Sequence, residues 1–220
     1  KGQNDFVTNV DIKVQEIIHS ELIKARKDYG FIMEEGQSEK LDAENIWIID
    51  PIDGTLNFMH GLPYFSISIG LRIKHKMAAG IVYNPILNEL YWAEEGSGAF
   101  LNDKRLRVSG RKNLENSVIA LGIPFLGRGN HKKHLKMQSN VMNKVAGLRR
   151  FGAASLDLCQ VASGRLDGFW EEGLNIWDIA AGTIIVKEAG GIISGIDKKE
   201  KPLDTGNIIA GNPNVVFALQ

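Results

Sequence analysis

The amino-acid sequence predicts an α+β fold in two parts, a sheet-rich one followed by one in which helices and strands alternate. Three observations predict it. Apolar residues return at helical spacing over residues 11–27, strict two-residue alternation runs through 65–73, and helix-like and strand-like segments succeed one another beyond residue 113. With 220 residues, 44% hydrophobic and 24% charged, the chain can bury one sizeable core or two close-packed halves and is too apolar to be disordered. Lys+Arg 26 balance Asp+Glu 26, which excludes an overall field towards nucleic acid or anionic membrane. The single cysteine, Cys159 in "SLDLCQVAS", excludes an intramolecular disulfide framework and reads as a small buried hydrophobe inside a helix. No apolar run approaches the length of a bilayer, and "KGQNDFVTNVD" lacks the apolar core of a signal peptide, so the expected setting is cytoplasmic.

The elements follow in order. Val14, Ile17, Ile18, Leu22 and Ala25 place one amphipathic helix over 11–27, with Gly30 as its stop. "FIM" and "IWII" read as short strands, each ending in acid and separated by the polar "EEGQSEKLDAEN". A short helix is expected from Thr55. Phe65, Ile67, Ile69, Leu71 and Ile73 alternate with Ser66, Ser68, Gly70 and Arg72 as in a half-buried strand, and "AGIVYNP", "ELYWAEE" and "GAFLND" continue an antiparallel meander. "EEGSGAF" reads as a loop between strands, with no following Lys-Thr or helix signal to make it a phosphate loop. After "SVIALG", residues 131–148 read as a helix, "ASLDLCQVAS" as another ended by Gly164, and "LDGFWEE" as a strand. "WDIAAGTIIVKEAGG" is a helix with Asp178 near its start and Gly190-Gly191 at its end, and the "GIISG" and "NIIAGN" strands follow. The boundary between the parts falls within 113–127, giving 1–120 and 121–220 as two halves of one compact unit.

The chemistry is concentrated in "WIIDPIDGTLNF". Asp-Pro and Asp-Gly are turn dipeptides, so a plain turn accounts for Pro51 and Gly54. Hard divalent cations want several oxygen ligands, and Asp50 and Asp53 on a rigid strand end would supply them. Glu34 and Glu35 end the preceding strand and Asp178 opens a helix. Separately they read as a solvated loop and a helix cap. Together they are carboxylates at three element ends, which repel unless cations lie between them. The two histidines of "HKKH" at 131–134 share a helix face without a third ligand and read as a solvated helix start, and Arg149 and Arg150 of "GLRRFG" read as solvated, anion-contacting or partner-contacting.

These residues resemble the inositol monophosphatase family of magnesium-dependent phosphatases, in its bacterial branch. "WIIDPIDGTLNF" carries its D-P-I-D-G-T signature, "WDIAAGTIIVKEAGG" carries W-D-x-A-A-G followed by E-A-G-G, and "DFVTNVD" and "FGAASLDLCQVASGRLDGFWE" are also similar to it. The family has glycine before the paired glutamates, where this chain has Met33.

The resemblance implies a layered α-β-α-β-α sandwich of the inositol monophosphatase and fructose-1,6-bisphosphatase type, with the active site between the two sheet regions. It implies two or three Mg2+ ions held by Glu34, Asp50, Asp53, Asp178 and the carbonyl of Ile52, with Asp11 in support. Thr55 and Glu34 would orient the attacking water, the Gly54 and Thr55 amides would meet the phosphate, and Asp53, Glu171 and the backbone near Ala154 would contact substrate hydroxyls. Such a site suits a phosphate monoester, whose hydrolysis is held back by the approach of an anionic nucleophile to an anionic phosphoryl group. The implied activity is hydrolysis of inositol monophosphate or a similar polyol or sugar phosphate. Fructose-1,6-bisphosphate, histidinol phosphate and 3'-phosphoadenosine 5'-phosphate are rival substrates, and a regulatory protein of the transcription machinery is a reading of another class. Lithium sensitivity and a homodimer are implied in the same way.

Overall fold

The computed structural model describes residues 8–125, 127 and 129–220. Residues 1–7, which include the start of "DFVTNVD" and the stretch read for a signal peptide, lie outside them. The first helix, α1 (Asn9–Ala25), opens on a capping box in which the Thr8 side chain accepts from the Val10 and Asp11 amides and the Asp11 carboxylate accepts from the Thr8 amide. Its Ile18, Leu22 and Ile23 pack on Phe31, Met33 and Ile49. Two strands lie beneath it, β1 (Gly30–Met33) and β2 (Asn45–Asp53). Side chains alternate along β2 as a strand requires: Trp47 and Ile49 face α1, while Ile46 and Ile48 face the opposite layer.

Among the described residues one sheet has seven strands in sequence order, continuing through β3 (Ser66–Ile73), β4 (Lys76–Asn84), β5 (Glu89–Glu94), β6 (Gly98–Leu101) and β7 (Lys104–Arg105). From β2 onwards it is the expected antiparallel meander. The first pair departs from it: β1 and β2 are parallel, Gly30 opposite Ile46. The cause is the connecting segment, which doubles back along the outer edge of β1 through paired bonds between Phe31 and Glu39, each 2.8 Å, before crossing to β2. A second departure lies in β2, which runs through Asp50 and Pro51 as far as Asp53 where the sequence suggests a turn. Its register shifts between Asp50 and Asp53, and a bulge is where a strand tolerates a proline that cannot donate to the ladder.

The other sheet is built from β8 (Val118–Leu121), β9 (Gly147–Arg149), β10 (Gly168–Glu171), β11 (Ile192–Ser194) and β12 (Ile208–Gly211). Its strand order is β11-β12-β10-β8-β9. Helix α3 (His131–Met142) stops short of the 131–148 expected, because Gly147–Arg149 pair with β8 as an edge strand. Within α3, His131 is exposed but His134 is buried, so the "HKKH" stretch is solvated on one side only. A short helix α6 (Pro202–Thr205) and the terminal helix α7 (Pro213–Leu219) have no counterpart in the sequence reading, although Asn212 capping Val215 with Pro at the first turn is an ordinary helix start.

Between the sheets lie α4 (Ala154–Ala162) and α5 (Ile176–Glu188). In α5 every residue from 179 to 186 is buried, the mark of a helix surrounded on all sides. Its Ile179 and Ile185 share a core with Leu156 and Leu158 of α4, Val82 and Tyr91 of the first sheet, and Phe169 and Ile208 of the second. The outer face of the second sheet presents Ile119, Leu121, Trp170 and Ile209 to α3 and α7. The layers therefore run α, β, α, β, α, the expected sandwich. Cys159 is fully buried in α4. The 95–97 turn is fixed from the middle layer, since the Glu188 carboxylate accepts from the Gly96 and Gly98 amides at 2.9 Å each.

Close approach of α5 to the first sheet depends on Gly80, where a Cβ would lie 2.7 Å from the Ala181 carbonyl oxygen and 2.8 Å from its Cα. Backbone cannot yield as a side-chain tip can, so Gly80→Ala should lower unfolding free energy by about 1–3 kcal/mol through overpacking. Urea denaturation measures this, and an unchanged midpoint would contradict the tight contact.

Candidate active site

The bulged end of β2 and the start of α5 bring three acids together. Asp50, Asp53 and Asp178 each present a carboxylate oxygen, and these atoms lie within 4.8 Å of one another. Asp50 is held by its own chain, its Oδ1 accepting from the Ile52 amide at 3.0 Å. Asp53 is held from the middle layer: its Oδ2 accepts from the Ser155 amide at 2.7 Å and the Ser155 hydroxyl at 2.6 Å. Asp178 accepts from the Asn175 amide at 2.7 Å, so the cap reading of this residue and its membership of the cluster both hold.

Glu34 comes from the neighbouring strand. Its amide extends the parallel ladder by donating to the Ile49 carbonyl at 3.1 Å, which sets its carboxyl against that of Asp50. The two glutamates separate in role here: Glu34 lines the cleft, whereas the Glu35 backbone is clamped by the Gln15 amide side chain of α1. Met33, in the place of the family's glycine, ends β1 with its side chain buried in the α1 cluster, and it needs no left-handed backbone.

Gly54 follows Asp53 with φ of 89°, a conformation costly for any residue with a Cβ, and caps the short helix α2 (Thr55–Met59). Thr55 is thus the first helical residue rather than the cap. Its hydroxyl lies 2.9 Å from the Ile52 carbonyl oxygen and 3.3 Å from Asp11 Oδ1. A carbonyl has two lone pairs, so Ile52 retains one for another partner. Asn57 donates to the nearby Tyr64 carbonyl at 2.8 Å and, tying this helix to the later part of the chain, to the Phe151 carbonyl at 2.9 Å.

Together Glu34, Asp53, Gly54, Thr55, Ala154, Glu171 and Asp178 line a cavity of about 260 Å³. A second of about 430 Å³ adjoins it, sharing Gly122, Phe125, Glu171, Leu174 and Asp178. Of the other residues predicted for the site, Asp50 is not on the lining but clusters with Asp53 and Asp178, and Ile52 and Asp11 are joined to the lining residue Thr55 by its hydroxyl. Arg150 also reaches the first cavity, while Arg149 does not. Sequence reasoning missed Ser155, Asn57 and Gly122. A Cβ on Gly122 would fall 1.8 Å from the Glu171 carboxyl carbon, so only glycine lets that carboxylate lie across the cavity floor. Its sequence signal was the glycine closing "SVIALG".

Burial dominates the electrostatics. It pushes Asp50 well above the usual carboxylate range, with Glu34, Asp53 and Asp178 adding repulsion. Asp178 is raised by burial, then by Asp53. Asp53 rises only to about 6 because the Ser155 hydroxyl and neighbouring amides stabilise its charge. Glu171 is pushed to about 8 by burial and by Asp157 and Asp53, with Arg150 opposing. Among the described residues no lysine or arginine forms an ion pair with Asp50, Asp53 or Asp178. An all-oxygen, charge-rich donor set lacking cationic side chains fits a hard divalent metal ion.

The model of the inositol monophosphatase family matches residues 1–219. The chain belongs to the inositol monophosphatase family. An inositol-1-monophosphatase of Mesorhizobium japonicum is 51% identical over 220 residues, covering 100% of this chain and 83% of the relative. The Nus factor SuhB of Escherichia coli is 44% identical over 220 residues, covering 100% of this chain and 82% of that protein. The extragenic suppressor protein suhB of Bartonella henselae, a crystal structure, superposes with a TM-score of 0.96 at 49% identity, covering 100% of this chain and 86% of its own. This inositol monophosphatase family member is accordingly an enzyme of a metal-dependent phosphatase family, and its acidic cluster could bind the metal.

Two outcomes follow. In chelator, carboxyls with raised pKa bind more protons folded than unfolded, so stability present below about 4 should be lost as pH rises through about 6 for Asp53 and about 8 for Glu171. Thermal melts should therefore fall over that window, and the increment from added Mg2+ should grow with pH. For Gly122→Ala, displacement of Glu171 should raise KM with little loss of kcat, as in Glu171→Ala. Steady-state kinetics on both variants would sink this assignment if KM stayed unchanged.

Proposed function

We propose that this phosphatase hydrolyses inositol monophosphate or a similar polyol or sugar phosphate with Mg2+, in two or three ions, at the acidic cluster. The observation that carries the reading is the convergence of Asp50, Asp53 and Asp178 within 4.8 Å beside Glu34 and Thr55. Glu34, Asp50, Asp53, Asp178 and the Ile52 carbonyl would hold the metal, which when bound supplies Lewis acidity and offsets the phosphate charge. Thr55, steadied by Asp11 and Ile52, and Glu34 orient the water for attack. The Gly54 and Thr55 amides present donors to phosphate oxygens, a close approach that the missing Cβ of Gly54 permits. Glu171, Asp53 and the backbone at Ala154 bind hydroxyls of the alcohol that leaves. A homodimer, sensitivity to lithium and a cytoplasmic setting belong to this reading through the family resemblance. In support of the last, no described helix is long and apolar enough to cross a membrane.

Phosphate release from a panel of monoesters tests it, with and without Mg2+, for wild type and Asp50→Asn. The panel holds inositol monophosphate, fructose-1,6-bisphosphate, histidinol phosphate and 3'-phosphoadenosine 5'-phosphate. Mg2+-dependent release, lost by at least about a hundredfold in the variant, is expected for an essential ligand. Preference for a non-polyol substrate would overturn the substrate choice.

Similarity to the Nus factor SuhB of Escherichia coli favours a second reading in which the chain binds the transcription machinery. A pull-down with folded Asp50→Asn separates the two, since a role in binding alone survives loss of the carboxylate.

A further inference from the structure

Asp53 is gripped more firmly than its neighbours in the cluster, and the grip falls on one oxygen. Both the amide and the hydroxyl of Ser155 donate to Oδ2, at 2.7 and 2.6 Å. Behind Ser155 stands Ser66, whose hydroxyl lies 2.7 Å from that of Ser155. A serine hydroxyl has a single proton, and that of Ser155 is committed to the carboxylate. Ser66 is therefore the donor of the second bond, and the chain runs Ser66 to Ser155 to Asp53. Both serines are fully buried, so no bulk water competes for these bonds. Ser66 is also placed by the sheet, directly opposite Asp53 in the β2–β3 ladder beyond the bulge.

We infer that Ser155, backed by Ser66, is a positioning residue that makes Asp53 a one-oxygen ligand and so favours a small octahedral cation over calcium. The inference rests on the reading of the acidic cluster as a divalent metal site. With Oδ2 occupied by two short hydrogen bonds, a cation is left with Oδ1. Magnesium requires near-ideal octahedral geometry and takes carboxylates through single oxygens, whereas calcium accepts six to eight oxygens and gains from carboxylates that bind through both. A carboxylate whose second oxygen is withheld suits the first ion and denies the second a contact. Hydrogen bonds behind a metal ligand commonly change metal affinity by about tenfold or more.

The test is Mg2+ and Ca2+ affinity measured by calorimetry on wild type, Ser155→Ala and Ser66→Ala, with no substrate present. Ser155→Ala removes the hydroxyl but keeps the amide bond, and alanine suits a helix start already flanked by Ala153 and Ala154. Mg2+ affinity should fall about tenfold in Ser155→Ala, while Ca2+ affinity falls less or rises, shrinking the Mg2+ to Ca2+ ratio by about threefold or more. Ser66→Ala should move the ratio in the same direction by a smaller factor. A general loosening of the fold would weaken both ions alike, so an unchanged ratio overturns the inference. Wild type that binds neither ion overturns the metal reading itself, which is a different result.

Discussion

Carboxylates gathered in a partly dry cleft are the constraint around which this fold is arranged. Burial alone costs a charged acid its hydration, and oxygens within 4.8 Å of one another add mutual repulsion. For Asp50, Asp53 and Asp178 neither cost is met by an ion pair with lysine or arginine among the described residues, and Arg150 offsets only part of the cost at Glu171. Such a cluster persists only where backbone geometry over-determines it, and three independent devices do so: the bulge that carries β2 from Asp50 to Asp53, the parallel ladder that sets Glu34 beside Asp50, and the capping bond at Asp178. Two of these devices share β2 and the third sits at the start of α5, so the cluster is held from the first sheet and from the middle layer together.

Small residues make that convergence geometrically possible. Gly80 lets α5 lie against the first sheet, Gly54 lets the chain turn into α2, and Gly122 leaves room for Glu171. Close packing of the middle helices sets the distance between the two sheets, and the cavity spans that distance: acids from the ends of β1 and β2 and the start of α5, with Ala154 of α4 and Glu171 of β10 on the same lining. Asn57 and Ser155 are among the polar links across it. Catalytic geometry and core packing are in this sense one problem.

Much of this was legible in the sequence and some was not, for identifiable reasons. The meander showed because period-two alternation repeats over several strands, and the carboxylate set showed because its two signatures are long. The direction of β1 did not show, since a parallel pair usually needs a helical crossover and here an extended edge segment does the same work. Pro51 looked like a turn because a bulge in a central strand has no local signature. Helix α3 was extended too far, Val145 and Leu148 keeping helical spacing while Val145 lies in the connection and Leu148 in β9. Ser155 was invisible for a different reason: a serine between Ala154 and Leu156 in a helical stretch carries no mark of the carboxylate it meets 102 positions away.

The placement of α4 and α5 adds the last step. Both helices begin at the cleft, α4 at Ala154 and α5 two residues before Asp178, and both run away from it. Helix N-termini carry partial positive charge and donor amides without partners, which stabilise anions within the first turn. Asp53 takes the Ser155 amide of one and Asp178 caps the other, so the fold supplies compensation from the backbone where it supplies none from cationic side chains. That compensation is partial, for Asp53 still lies near 6 with these bonds in place and Asp50, which receives the Ile52 amide, is raised well above the usual carboxylate range by burial and then by Glu34. A fully compensated cluster would have no use for a cation, and a wholly uncompensated one would stay protonated. The intermediate balance is what a cluster proposed to hold a hard divalent cation requires.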